Sequence, residues 1–125
     1  MGNTVDKWQA LHAFWSSFDL PAYDQNSVPD NAVMPYITYE AFASGFEDPI
    51  TISASIWYRS SSWEDISKKA DKVFERLENY VLQPSDDGYL FIVKGSPFAQ
   101  RLSEPNDEMV RRIYINIMVE FLMKY

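Results

Sequence analysis

The chain of 125 residues contains no cysteine and only one histidine. Without cysteine there is no disulfide and no thiolate metal site, and the redox compartment leaves no trace in the sequence. Without a second histidine or a cysteine, His12 has nothing to complete a metal or acid–base site. It reads as a surface or boundary residue beside the apolar stripe of a helix. Glycine is scarce as well: Gly2, Gly45, Gly88 and Gly95 are too dispersed for a phosphate-binding loop or a dinucleotide fingerprint. No Gly-x-Ser-x-Gly elbow occurs, so Ser60-Ser61-Ser62 reads as helix capping rather than as a nucleophile. Cations are outnumbered, with 11 Lys and Arg against 18 Asp and Glu. The net charge of -7 argues against tight nucleic-acid binding through a basic footprint. No stretch approaches the roughly 20 apolar residues of a membrane span. The start, Met1-Gly2-Asn3-Thr4-Val5-Asp6, lacks the basic and apolar segments of a signal peptide. Asp6 also stands where a myristoylation signal has Ser or Thr. The expected location is the cytoplasm, or an assembly made there.

Carboxylates are plentiful, and their pairs are Glu64/Asp65, Asp86/Asp87 and Asp107/Glu108. Each falls at an expected helix start or turn, where acidic residues have a structural job. No catalytic, cofactor-binding or metal-binding residue is therefore expected, and the chain does not read as an enzyme. Its length suits one domain spanning residues 1–125. Aromatic residues make up 16% of it, enough that some rings should reach the surface, where Tyr and Trp favour interfaces.

The hydrophobic pattern predicts a helix over residues 4–18. Val5, Trp8, Leu11, Trp15 and Phe18 share one face, with Thr4 as cap and Pro21 as stop. Residues 22–32 read as a loop. Strands are expected over 34–42 and 50–59, with a turn at 43–49 between them. In the second strand Ile50, Ile52, Ala54, Ile56 and Tyr58 face one way, and Thr51, Ser53, Ser55, Trp57 and Arg59 the other. A second helix opens at Ser60-Ser61-Ser62, with Ser62/Asp65 or Ser61/Glu64 as a capping box. Its stripe is Ile66, Ala70, Val73, Phe74, Leu77 and Val81. A turn at 83–88, a third strand over 89–94, a loop over 95–107 and a long strand over 110–123 complete the chain. The order is α-β-β-α-β-β. The expected fold class is α+β, a mainly antiparallel four-stranded sheet with two helices packed on one face. The last strand is either an edge covered by a neighbouring subunit or one covered by its own sheet.

The aromatic positions and the two long loops are the candidate contact surfaces. The residues expected at interfaces are Tyr23, Asp24, Tyr36, Trp57 and Arg59 in the first half. Trp63, Phe98, Gln100, Arg101 and Tyr114 are those of the second. For the aromatic residues, covering the chain's own sheet is the competing role.

Several segments, in order, carry a resemblance. They are Leu20-Pro21-Ala22-Tyr23-Asp24, Val28-Pro29 and Pro35-Tyr36-Ile37-Thr38-Tyr39. Next come Ile56-Trp57-Tyr58-Arg59-Ser60-Ser61-Ser62-Trp63 and Ile66-Ser67-Lys68-Lys69-Ala70-Asp71. The last two are Lys94-Gly95-Ser96-Pro97-Phe98-Ala99-Gln100-Arg101 and Arg111-Arg112-Ile113-Tyr114-Ile115-Asn116. With these the chain resembles the tail terminator, or tail completion, proteins of long-tailed bacteriophages and prophages. The resemblance implies a virion protein without catalytic residues, forming a homo-oligomeric ring, commonly a hexamer, at the head-proximal end of the tail. Such a ring ends polymerisation of the tail tube protein and meets the head–tail connector or stopper protein. DNA passes its lumen without specific binding, and no membrane is involved. Another neck protein, a head–tail connector, is the alternative within that biology. A small-ligand-binding α+β module or an enzyme subunit is the alternative from another class.

Overall fold

The computed structural model describes residues 6–40 and 48–123. Its elements are α1 (Lys7–Ser16), β1 (Ala22–Asp24), β2 (Tyr36–Tyr39), β3 (Ile50–Arg59), α2 (Glu64–Arg76), β4 (Val81–Ser85), β5 (Gly88–Leu102) and β6 (Val110–Met123). The six strands form one sheet in the order β1-β2-β3-β6-β5-β4. All neighbours are antiparallel except β1 and β2, which run parallel. The sheet curls into a half-barrel. This corrects the expected four-stranded sheet and its α-β-β-α-β-β order. The two extra strands are the edges, β1 and β4.

Each edge strand has a physical reason for escaping the sequence pattern. Ala22-Tyr23-Asp24 is three residues long, too short to alternate visibly, and lies in a stretch rich in turn formers. Its parallel register, Ala22↔Ile37 to Asp24↔Tyr39, needs a crossover of roughly a dozen residues, which residues 25–35 supply. The expected loop over 22–32 is therefore a strand followed by a crossover. β4 contains Pro84, a turn signal in sequence. An edge strand tolerates it because no further strand needs its N–H. Val81 continues the helical spacing from Leu77, yet α2 ends at Arg76 and Val81 pairs with Ile92 in β4.

The expected loop over 95–107 is also corrected. β5 runs on to Leu102 across an irregularity between Lys94 and Ala99, where its register against β6 shifts. Gly95 permits this close passage. A Cβ there would lie 2.9 Å from the backbone C and O of Asn116. The long C-terminal strand is not an edge, since β6 sits between β3 and β5.

α1 starts at Asp6, whose carboxylate accepts from Gln9 N–H at 2.8 Å while Asp6 N–H donates to Gln9 Oε1 at 2.9 Å. This reciprocal pair is the capping box of the chain. The expected cap, Thr4, lies outside the described residues, as do residues 41–47, which hold the end of the first expected strand and most of the turn after it. The last residue, Tyr125, lies outside them too. The helix stops at Ser16, short of Phe18, and Asp19 takes a left-handed φ of 61° that turns the chain away. At α2 the predicted boxes do not form. Ser62 Oγ instead accepts from Glu64 N–H at 3.0 Å, one residue earlier than expected.

One core fills the concave side. Leu11, Phe14 and Trp15 of α1 and Ile66, Val73 and Leu77 from α2 and its C-cap are fully buried there with Ile37, Ile52, Ile56, Ile115 and Ile117 of the sheet. α2 lies over β3, β6 and β5. α1 touches both edge strands, β1 and β4, and so bridges the open side of the half-barrel. Both helices thus lie against one face, and among the described residues no helix lies against the other.

Candidate functional site

The helix-free face is the side chains pointing away from that core. Register places Tyr36, Trp57 and Arg112 in one row, Ser55, Tyr114 and Gln100 in the next, and Ser53 beside Asn116. Along β1 and β2 the same face carries Tyr23 and Thr38. Thr38, Ser53 and Ser55 are only 8%, 7% and 3% exposed although no helix covers them. Large neighbours lie flat over these small polar groups and bond them. Trp57 Nε1 donates to Thr38 Oγ1 at 2.9 Å, and Arg112 Nε donates to Ser55 Oγ at 3.0 Å. Tyr114 OH donates to Ser53 Oγ at 2.6 Å, and Ser53 Oγ donates to Asn116 Oδ1 at 2.8 Å. Asn116 Nδ2 then donates to Pro97 O at 3.0 Å, tying the network to the irregular part of β5. The Arg112 guanidinium sits 4.7 Å over Trp57 and 3.6 Å from Glu104. This half of the face is a closed polar lid made by its own strands.

The other half, over β4, β5 and β6, is different. Leu82, Tyr89, Met118 and Leu122 project there and are exposed, with half-buried Phe91 and Val93 among them. Tyr80 lies tilted against Phe91, ring centroids 5.4 Å apart, and extends the patch past the start of β4. A shallow cleft of about 120 Å³ between Pro49, Phe91, Val93 and Met118 belongs to it. Among the described strand residues of this half, Glu120, opposite Phe91, carries the one charge. Among the described residues no cation lies within ion-pair distance of it.

The ten expected contact residues divide between surfaces. Tyr23, Tyr36, Trp57, Gln100 and Tyr114 share the helix-free face, with Tyr23 and Tyr36 edge to face at 5.6 Å. Trp57 and Tyr114 belong to the polar lid, so covering the chain's own sheet is part of their work. Arg59 closes a salt bridge to Asp107 at 2.7 Å. This bond and the Met109 N–H hold the Asp107 carboxyl below its usual pKa. Asp24 bonds Asn26 N–H at the start of the crossover.

Trp63, Phe98 and Arg101 are on the opposite side of the sheet, beside α2. There Trp63 has Arg101 at 5.0 Å and Arg111 at 5.3 Å over its ring. Phe98 meets Phe74 edge to face at 5.5 Å, and Lys94 sits 3.9 Å over Phe74. The apolar patch is what the aromatic criterion missed. Its signal is present in β6, where the non-core positions change from Arg112, Tyr114 and Asn116 to Met118, Glu120 and Leu122.

His12 Nδ1 is 2.8 Å from Tyr39 OH, and its Nε2 is 3.2 Å from Ser16 Oγ. Burial, with a smaller effect from Asp24, raises the Tyr39 phenol above its usual pKa. Ser16 occupies the last turn of α1, where carbonyls rather than N–H groups are unpaired, so no oxyanion site is built there. Among the described residues no group of three His, Asp or Glu is placed to hold a metal ion. No helix among them is long and apolar enough to cross a membrane. No protein-family model and no curated protein matches the chain.

Proposed function

We propose that the protein is a structural assembly subunit without catalytic activity, and specifically a tail terminator of a long-tailed phage or prophage. In this reading it forms a ring on the head-proximal end of the tail tube, ends tube growth and offers a surface to the head connector. The observation that carries the assembly part is the apolar half of the helix-free face. Solvent-exposed large apolar side chains gathered in one place mark contact sites, whereas single ones carry no message. The resemblance of the ordered segments supports the phage assignment. The polar lid supports the assembly part indirectly: it leaves the first half of the face satisfied and so concentrates contact on the second.

Electron microscopy of the purified protein with tail tube protein tests the proposal. The expected result is rings with a central hole, and tubes whose growth stops when the protein is added. Particles without a hole, with tube lengths unchanged, would remove the terminator reading. Binding to head connector assemblies but not to tubes would move it to another neck position.

A further inference from the structure

The apolar patch has a matching surface on the same molecule. It lies on the opposite side of β5, where Phe74, Trp63 and Phe98 alternate with Lys94 and Arg101. The two surfaces complement each other in chemistry. One is apolar around a single carboxylate, Glu120, that has no cation beside it among the described residues. The other is aromatic with cations that lie over rings rather than against carboxylates. That arrangement is unexpected for a chain with a surplus of acidic residues to pair them with. Phe74 is 40% exposed, as Leu122 is, so both halves offer uncovered apolar area.

We infer that a second copy of this chain occupies the patch, setting its α2–β5 flank against the first copy's β4–β5–β6 face. Cations of the flank then meet Glu120 within an apolar surround. Roughly half-exposed side chains of about 200 Å² each make the patch of the order of 500 Å², most of the ~800 Å² per partner of a standard interface. Edge pairing is the poorer route, because Pro84 interrupts the β4 edge. The two surfaces lie on opposite sides of one sheet, so the contact is head to tail rather than two-fold. Such a contact closes into a ring or runs on as a filament. The inference rests on the assembly reading above and supplies its subunit contact.

Charge reversal tests it. Glu120→Lys reverses the face, and Lys94→Glu with Arg101→Glu reverses the flank. Each variant alone is expected to self-associate at least tenfold more weakly than the unaltered chain in sedimentation velocity. An equimolar mixture is expected to regain assembly, since each reversed surface then meets its complement in alternating order. Recovery in the mixture also shows that both variants are folded. If the unaltered chain assembles but the mixture recovers nothing, the contact lies elsewhere and this inference falls while the ring reading stands. If the mixture recovers but microscopy shows only open filaments, the contact stands and the ring reading falls. An unaltered chain that stays monomeric up to millimolar concentration gives both surfaces to other partners and overturns the inference.

Discussion

Three residues make the irregular part of β5 possible. Gly95 is there for space, not for an unusual backbone angle, because any Cβ would press on Asn116. Gly95→Ala is expected to destabilise the fold by about 1–3 kcal/mol through overpacking, read as a shifted midpoint in urea. Ser53 links Tyr114 to Asn116, and Asn116 in turn holds Pro97. Ser53→Ala removes the hydroxyl that joins half-buried Tyr114 and Asn116, so a loss of about 1 kcal/mol is expected by the same measurement. An unchanged midpoint would show that water replaces the hydroxyl. Asp107 gives a pH signature. Its pKa is lowered in the fold by the Arg59 hydrogen bond first, and by the Met109 N–H second. A lowered carboxylate pKa stabilises the fold above the unfolded value and is lost as pH falls through the folded value. The melting difference between the unaltered chain and Asp107→Asn is therefore expected to be constant near neutrality and to shrink below about pH 4. A difference that does not diminish at all below that pH would contradict this. The sequence marked Gly95 and Asp107 as loop residues; their roles depend on Asn116 and Arg59, distant in the chain.

Among the elements, the helices and the two long central strands were legible. Stripes of period 3.6 and alternation of period 2 are written directly into Leu11/Trp15, Ile66/Val73 and Ile52/Ala54/Ile56. What was not legible are the edges. A strand of three residues such as β1, or one carrying Pro84 such as β4, is stabilised by the neighbour it pairs with, and local propensity does not reveal that neighbour. Helix ends were misplaced for a related reason. Leu77 and Val81 keep helical spacing, but Val81 is taken by its pairing with Ile92. The α1 cap offers a check. Asp6→Ala removes one bond of the capping box and is expected to cost about 1 kcal/mol, measured by denaturation. Phe14 has a larger role, being fully buried on the helix that bridges β1 and β4. Phe14→Ala is expected to cost about 3–5 kcal/mol, with the steepest rise in hydrogen exchange at those two edges.

At the scale of the whole molecule, the sheet puts its helices on one side and divides the other into a satisfied polar half and an unsatisfied apolar half. If copies associate through the apolar half, the folded assembly draws the equilibrium away from the unfolded chain. The melting temperature should then rise with protein concentration, and Leu122→Asp should abolish that rise while leaving the dilute chain as stable as before. A melting temperature independent of concentration for the unaltered chain would count against self-association.

The sequence by itself determined the chemistry that is missing: no thiols, no histidine pair, no phosphate loop, no basic surplus. Composition is local and survives any fold. It also determined which strand positions are apolar, because alternation along one strand needs no knowledge of its neighbours. Only the tertiary structure decided which strands are edges, which face the helices leave open, and that Trp57 and Tyr114 cover their own sheet while Met118 and Leu122 stay uncovered. Those outcomes depend on register between segments far apart in the chain. Register is set by pairing and packing together, and no single segment carries it.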